Sequence, residues 1–506
     1  MKNYIQKFGL VAMVMATILV GCKKDPNNNE TGQQILFGPN KTQIGDGSKE
    51  FRITEDVTIK KGTYTMVGWI YVDEGATLTI EPGTVIKGTD INYDGTAAAT
   101  GSSLIIMRGA KIMAAGTREQ PIVFTSNQPI GQRQPADWGG IIICGRAKNN
   151  KGEMDIEGGV TAPHGGNDDN DNSGVLRYVR IEFGGYPFAP DTEINGLTMG
   201  SVGRGTTIEY VQVSYCGDDS FEWFGGSVNC KYLIAYHGWD DDFDTDNGFS
   251  GKLQFLLGIR DPRIADVSNS NGFESDNDNP GSDDQPYTTA VFSNVTIIGP
   301  KVQDDNFVNN STYITGYNWG NTANTAVFPI KPGIFQAAVQ IRRNSRISVF
   351  NSVFAGYPVG LLLDKQRGDC HGAAERGDLV VKNVFMAGMS RLGADDNSTT
   401  DGAWTGDFSA NYFKRTDLNN REITSIADLM LNQPRSKGYS GGVAPNWGPR
   451  AESPLLEAGA ASFTDPKLND PFFDKTATYV GAFKSDSPAD DWTRGWANFD
   501  PQNTNY

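Results

Sequence analysis

Three dipeptides, Phe221-Glu222, Phe243-Asp244 and Phe273-Glu274, each follow a short apolar stretch and a turn, at steps of 22 and 30 residues. If the chain stacks one repeated strand-and-turn unit, Glu222, Asp244 and Glu274 become an acidic ladder with rungs about 4.8 Å apart. Asp218, Asp219, Asp240, Asp241, Asp242, Asp246 and Asp276 fall in the same neighbourhood. Carboxylates crowded in this way repel one another unless a cation binds or some of them take up protons. Hard oxygen donors suit calcium, which tolerates irregular geometry, so Asp242, Asp244, Asp246 and Asp276 are the expected metal ligands. Trp223, Phe224, Tyr236 and Trp239 lie beside the acids. An aromatic face next to carboxylates that accept hydroxyl protons suits a sugar, which makes Glu222, Trp223, Trp239, Asp244 and Glu274 the expected ligand-binding set. A plainer account stays open for both groups. Asp and Asn occupy tight turns because their side chains bond nearby backbone, and aromatics cover the flanks of repeat proteins.

The stretch Asp242-Phe243-Asp244-Thr245-Asp246-Asn247-Gly248 opens like an EF-hand calcium loop, but its Gly comes one place late and Leu253 stands where a bidentate Glu belongs. His164, His237 and His371 are too few and too scattered for a histidine metal site; only His237 neighbours the acids. The acidic loops at Asn167 to Asp171 and Asp276 to Asp284 read as solvated insertions.

Short β-branched or aromatic strands closed by Gly, Asn or Asp must position these residues. Trp69 to Val72, Leu78 to Ile80 and Val85-Ile86 are followed by the same order of strand and turn at Leu104 to Ile106, Lys111 to Met113 and Ile122 to Phe124. Aligning Tyr178, Tyr210, Tyr232 and Phe255 gives steps of 32, 22 and 23 residues, and later strands carry Asn294, Asn351 and Asn383 at the aromatic's place. Periods of this length mean repeat architecture. The expected fold is all-β, a parallel β-helix over residues 51–395. An irregular region with one short helix near Ile423 to Leu431 is expected over 396–450, and a C-terminal segment over 451–506 capping the last coils.

Lys2 and Lys7 precede an apolar run from Phe8 to Val20, and Leu19-Val20-Gly21-Cys22 has the form of a bacterial lipobox. Residues 1–22 are therefore read as an export signal, Cys22 as the lipidated residue that anchors the protein to a membrane, and residues 23–50 as a flexible tether. Lys23, Lys24 and Asp25 point to the outer membrane and its cell-surface side. The formal charge of −16 opposes nucleic-acid binding, since phosphate neutralisation needs the opposite sign. Cys144, Cys216, Cys230 and Cys370 lack Cys-x-x-Cys spacing and read as buried small hydrophobes, with a disulfide left open.

The stretches Val72 to Ile86, Gly109 to Ser126 and Asp470 to Pro501 resemble the right-handed parallel β-helix of the pectin-lyase-like superfamily. They are most similar to exported Gram-negative lipoproteins of that fold. The acidic, aromatic-lined face makes a polysaccharide the expected partner, and the chain is expected to be a monomer; the resemblance itself specifies fold and location. It also implies two enzymatic alternatives to simple binding. A hydrolase of the polygalacturonase type would place its acid and base among Asp219, Asp241 and Asp242, with His237 nearby, although His237-Gly238 lacks a preceding Gly. A lyase of the pectate type would pair calcium with an Arg base, for which Arg260, Arg263, Arg342 and Arg343 are the candidates. A structural or adhesive surface protein is the third reading.

Overall fold

The computed structural model describes residues 34–37, 41–90, 101–189, 192–311, 333–398, 400–435 and 445–506. The expected signal segment, Cys22 and residues 23–33 of the expected tether lie outside these residues.

Each coil contributes strands to three parallel rows. The first row runs through Lys111–Ala115 and its neighbours, pairing Ile112 with Leu78 below and Gly174 above. The second pairs Val179 with Val211, Val211 with Leu233 and Leu233 with Leu256. The first two rows join into an 18-stranded sheet, whereas the third forms a separate 11-stranded sheet. In the third row Leu197, Phe221, Phe243 and Phe273 stand in register on successive coils. All four side chains are buried. This is a right-handed parallel β-helix, as expected. Parallel strands covered on both faces read as near-continuous apolar runs, which is why Gly140–Cys144 and Val291–Ile298 are buried throughout.

First and second rows meet at a kink. Tyr178, Tyr210, Tyr232, Phe255, Asn294, Asn351 and Asn383 all have φ between 51° and 63°, the left-handed region that bulky residues seldom enter. Stacking holds the aromatic members in place. Tyr178 stacks on Tyr210 at 4.5 Å, Tyr210 on Tyr232 at 4.3 Å and Tyr232 on Phe255 at 5.0 Å. From Asn294 onward Asn takes over, which tolerates this backbone well. The Asn383 amide donates to Asn351 at 3.2 Å, and Asn419 donates to Asn383 at 2.9 Å. The aromatic-to-Asn change along the repeat is thus one backbone requirement met in two ways.

The ends of the solenoid depart from expectation. Pairing begins with Gln34–Phe37 and continues at Gln43–Ile44, inside the stretch read as tether, because both strands add to the rising sheet. The last coil is closed by helix α1, Phe408–Phe413, whose Tyr412 and Phe413 sink into the interior core. The segment expected to be helical near Ile423 holds only a 3-10 turn, Ile426–Leu429.

Residues 446–506 therefore do not cap an end; they strap the outer face of the second row. Trp447, Leu455, Val480, Phe483, Trp492, Trp496 and Phe499 pack on Ile234, Leu257, Ile298, Val353 and Phe385. The strap runs from the last coils back toward the first. Both backbone groups of Asp474 bond the Gln254 amide (2.7 and 3.1 Å), those of Asn498 bond Gln212 (2.8 and 2.7 Å), and Arg133 reaches the Pro501 carbonyl at 2.6 Å. Apolar residues on both faces of the second row explain why a lateral cover was needed.

Two outcomes follow. A chain ending at Pro445 exposes that apolar face and should associate; a monomer by light scattering with unchanged melting temperature contradicts the strap's role. At the kink, Asn383→Ala should be less stable than Asn383→Gly by about 1 kcal/mol in denaturant titrations, since both lose the amide bonds but only Ala carries the left-handed penalty.

Candidate functional site

The acids collect where the second row turns into the third. Strand alternation sends Phe221, Trp223, Phe243, Thr245, Phe273 and Ser275 inward and leaves Glu222, Asp244, Asp246, Glu274 and Asp276 on the outer face. Register then does the rest. Glu222 pairs with Asp244, and Asp244 with Glu274, so the structure brings the three rungs of the expected ladder together. The same row continues through Thr198 to Ile142, Ile105 and Tyr71 toward the amino end and through Gln340 to Leu362 toward the carboxyl end. Those apolar flanks are covered, by Ile156, Val160 and Ala162 on one side and Trp404 on the other.

A second column stands three residues earlier on each coil: Asn195, Asp219, Asp241 and Asn271. Its register shows in the backbone, where Gly196 donates to Asp219, Ser220 to Asp241 and Asp242 to Asn271. The Asp219 carboxylate accepts from the Asp241 amide at 2.7 Å, and Asp241 accepts from Asn271 N–H at 2.5 Å. The column's end amides turn toward the ladder. Asn195 donates to Glu222, and Asn271 to Glu274 at 3.3 Å. Neither asparagine is among the sequence-based candidates, although Asp219, Asp241 and Asn271 stand three places before Glu222, Asp244 and Glu274.

Carboxylate oxygens of Asp219, Glu222 and Asp244 lie within 4.8 Å of one another, as do those of Asp241, Asp244 and Glu274. A third group, Asp218, Asp219 and Asp240, adjoins them within the same limit. Asp244 thus belongs to two triads, and its Oδ1 is buried with no hydrogen-bond partner. Burial drives the Asp219, Glu222, Asp241 and Asp244 pKa values well above the ordinary range, and repulsion from neighbouring carboxylates adds to it. Glu274 is raised less, because Arg342 opposes its burial.

The expected metal set Asp242, Asp244, Asp246 and Asp276 is corrected: only Asp244 belongs to the carboxylate triads. Asp242 faces the other way and pairs with Arg260 at 2.9 Å, both side chains fully buried. Asp276 is held by Arg342 at 2.8 Å and Arg343 at 2.6 Å. Asp246 accepts from the Asn247 amide at 2.5 Å, and burial pushes its pKa up to about 8. The calcium-loop reading fails for a related reason. Phe243–Asp246 is a strand, which points alternate side chains to opposite faces and cannot wrap an ion.

The aromatic platform is likewise not formed. Trp223 is fully buried, between Phe221 at 6.0 Å and Phe249 at 5.3 Å, since it sits one residue beyond an outward Glu222. Trp239 is buried and donates to the Ala265 carbonyl at 3.1 Å, while Tyr236 donates to Phe499 of the strap at 3.0 Å. Phe224 packs under the insertion carrying Ile156. His237 lies against Tyr236 at 3.8 Å with its Nδ1 3.2 Å from the Tyr215 hydroxyl, and belongs to none of the carboxylate triads. Of the residues proposed as acid and base, Asp219 and Asp241 join the cluster, and Asp242 is tied to Arg260. The four cysteines are buried and unpaired.

Residues 51–424 match the family model described as a pectate-lyase like β-helix domain. The chain belongs to the pectate-lyase-like β-helix family. No curated protein and no solved structure matches it. The family domain thus spans the coils that hold both acidic columns, and the strap lies beyond its matched boundary.

The buried Asp242–Arg260 pair offers a stability test inside this family domain. Arg260→Met leaves a buried carboxylate uncompensated and should cost about 3–5 kcal/mol, whereas combining it with Asp242→Leu should recover much of that loss. Equal unfolding midpoints for the single and double variants contradict the pairing.

Proposed function

We propose that this pectate-lyase-like β-helix protein is a lipid-anchored cell-envelope protein that holds calcium in its acidic columns and binds a carbohydrate polymer there. The observation that carries the cation part is the pair of carboxylate triads sharing Asp244, with a buried Asp244 oxygen left without a partner. Among the described residues only Arg342 supplies an ion-paired positive charge to the ladder, at its Glu274 end. Five oxygen-bearing side chains, Asp219, Glu222, Asp241, Asp244 and Glu274, with the Asn195 and Asn271 amides bracketing them, fit a hard cation of flexible coordination. The bound ion would supply positive charge to which hydroxyl or carboxylate oxygens of a polymer add. Family membership supports the polymer, and the lipobox at Cys22 supports the outer membrane, facing the cell surface, as the location.

Binding is favoured over turnover by the arginines. Arg260, Arg263, Arg342 and Arg343 are each ion-paired with carboxylates, which keeps a guanidinium charged and unsuited to act as a base. A hydrolase would need two carboxylates free to flank a sugar, yet Asp219 and Asp241 are 7% and 3% exposed and bonded to backbone amides.

Calcium at a hundredfold excess over Kd should stabilise the chain by about 2.7 kcal/mol, read as a higher melting temperature that EGTA reverses. Glu222→Gln with Asp244→Asn should raise the melting temperature in EGTA, because repulsion is relieved, and abolish the rise with calcium. A calcium response equal to wild type in that variant removes the site. For the polymer, glycan-array binding lost in the same variant supports the reading. Release of unsaturated or reducing ends supports catalysis instead, and silence in both assays leaves a structural or adhesive role.

A further inference from the structure

Away from the acids, a cavity of about 540 Å³ opens beside the last coils, between the short helix Pro300–Gln303 and the segment from Ser425 to Arg435. Its lining joins three cationic side chains, Lys301, Arg435 and Arg450, to the apolar walls of Val302, Ile426 and Met430. This is unusual in a chain of formal charge −16. Asp305 also lines it and pairs with Arg435, so three positive charges face one negative charge.

The two remaining cations are held by neutral groups. Lys301 Nζ donates to the Gly388 carbonyl at 2.7 Å and to Ser390 Oγ at 3.0 Å, and Arg450 donates to the Asn432 carbonyl at 3.2 Å. Neither is ion-paired among the described residues. Neutral acceptors fix the direction of each head while leaving its charge uncompensated, which is how a protein prepares a place for an anion. The apolar side is also specified. Met430 is 41% exposed, one of the few large apolar side chains among the described residues to be so, and it sits in the left-handed region at φ 52°. Met430 is the C-cap of the 3-10 turn, its N–H donating to the Ala427 carbonyl at 3.0 Å and its carbonyl accepting from the Arg450 N–H at 2.9 Å, so the backbone is fixed while the side chain stays partly exposed beside the cavity. Methionine also adapts its shape to a ligand's apolar surface.

We propose that this cavity binds a small amphipathic anion, a carboxylate or phosphate carried on an apolar body, with Lys301 and Arg450 holding the charge and Met430, Ile426 and Val302 holding the body. The volume falls within the range of pockets that enclose small organic ligands. The site shares no residue with the acidic columns, so it stands whether or not calcium binds there.

Isothermal titration of the full chain with octyl phosphate, octanoate, inorganic phosphate and octyl glucoside tests both halves. Octyl phosphate or octanoate should bind at least tenfold more tightly than inorganic phosphate and octyl glucoside, with affinity falling as salt is raised. Whichever of the two binds better identifies the head group. Arg450→Gln, which removes an exposed charge, should weaken the anion at least tenfold, and Lys301→Met should do the same. If Lys301→Met unfolds, Arg450→Gln alone decides. Met430→Ser should weaken octyl phosphate and leave inorganic phosphate unchanged. The proposal is overturned if no anion binds, if octyl glucoside binds as tightly as octyl phosphate, or if the folded Arg450→Gln variant binds like wild type.

Discussion

In a parallel β-helix every residue meets its counterpart one coil away at the strand spacing of about 4.8 Å, so side chains of a kind are stacked on their own kind. Everything else in this protein follows from whether a given stack is favourable. Phe221 on Phe243 at 5.5 Å and the tyrosines of the kink are apolar stacks that stabilise without needing any partner. Asn351, Asn383 and Asn419 form a stack whose amides satisfy each other from coil to coil. Glu222, Asp244 and Glu274 are the stack that repels itself, and register gives these side chains no way to separate.

The kink and the strap depend on one another. The left-handed residues fold the long strands Gly174–Glu182 to Val291–Ile298 into two faces, which turns one broad sheet edge-on and exposes the second row's outward apolar side chains. Trp496 packs edge-on against both Tyr178 at 5.8 Å and Tyr210 at 6.0 Å. The strap therefore covers the apolar face and also braces the aromatic residues whose backbone is least comfortable. Where Asn replaces the aromatic, the strap changes its contact accordingly, and the Asn294 amide donates to the Tyr479 carbonyl at 2.8 Å.

How far the sequence foretold this depended on whether a feature repeats. The solenoid, the kink column from Tyr178 to Asn383 and the ladder Glu222, Asp244, Glu274 were legible because each recurs at the coil period. The inward fate of Trp223 is legible too, from its place one residue past Glu222, because strand parity outranks aromatic type. The Asn195 to Asn271 column has the same spacing, but two of its four members carry no charge, so charge patterning alone does not reveal it. Single events were a different matter. The pairing of Asp242 with Arg260, the withdrawal of Asp276 by Arg342 and Arg343, and the lateral course of the strap each join residues with no shared period. Only the coiling of the chain brings them within reach.

The position of the acidic columns is itself an argument for a ligand. Burying a carboxylate without a counter-charge is costly, and this chain demonstrates the usual remedy one residue away, where Asp242 receives Arg260. The row on which Glu222 and Asp244 stand carries Tyr71, Ile105 and Ile142 on one side and Leu362 on the other, covered there by Ile156, Val160 and Trp404, with uncharged Thr198 and Gln340 next to the acids, so an uncharged rung at these coils is compatible with the fold. In this row acid occurs only between the two covers, on three consecutive coils, beside a second column that adds two more carboxylates. A solenoid that needed nothing but stability would have continued the apolar row or placed an arginine opposite each acid, as it did for Glu274 and Asp276. The counter-charge missing for Glu222 and Asp244 must come from proton uptake or from a positive ion in solution, and the proposed calcium would be such an ion.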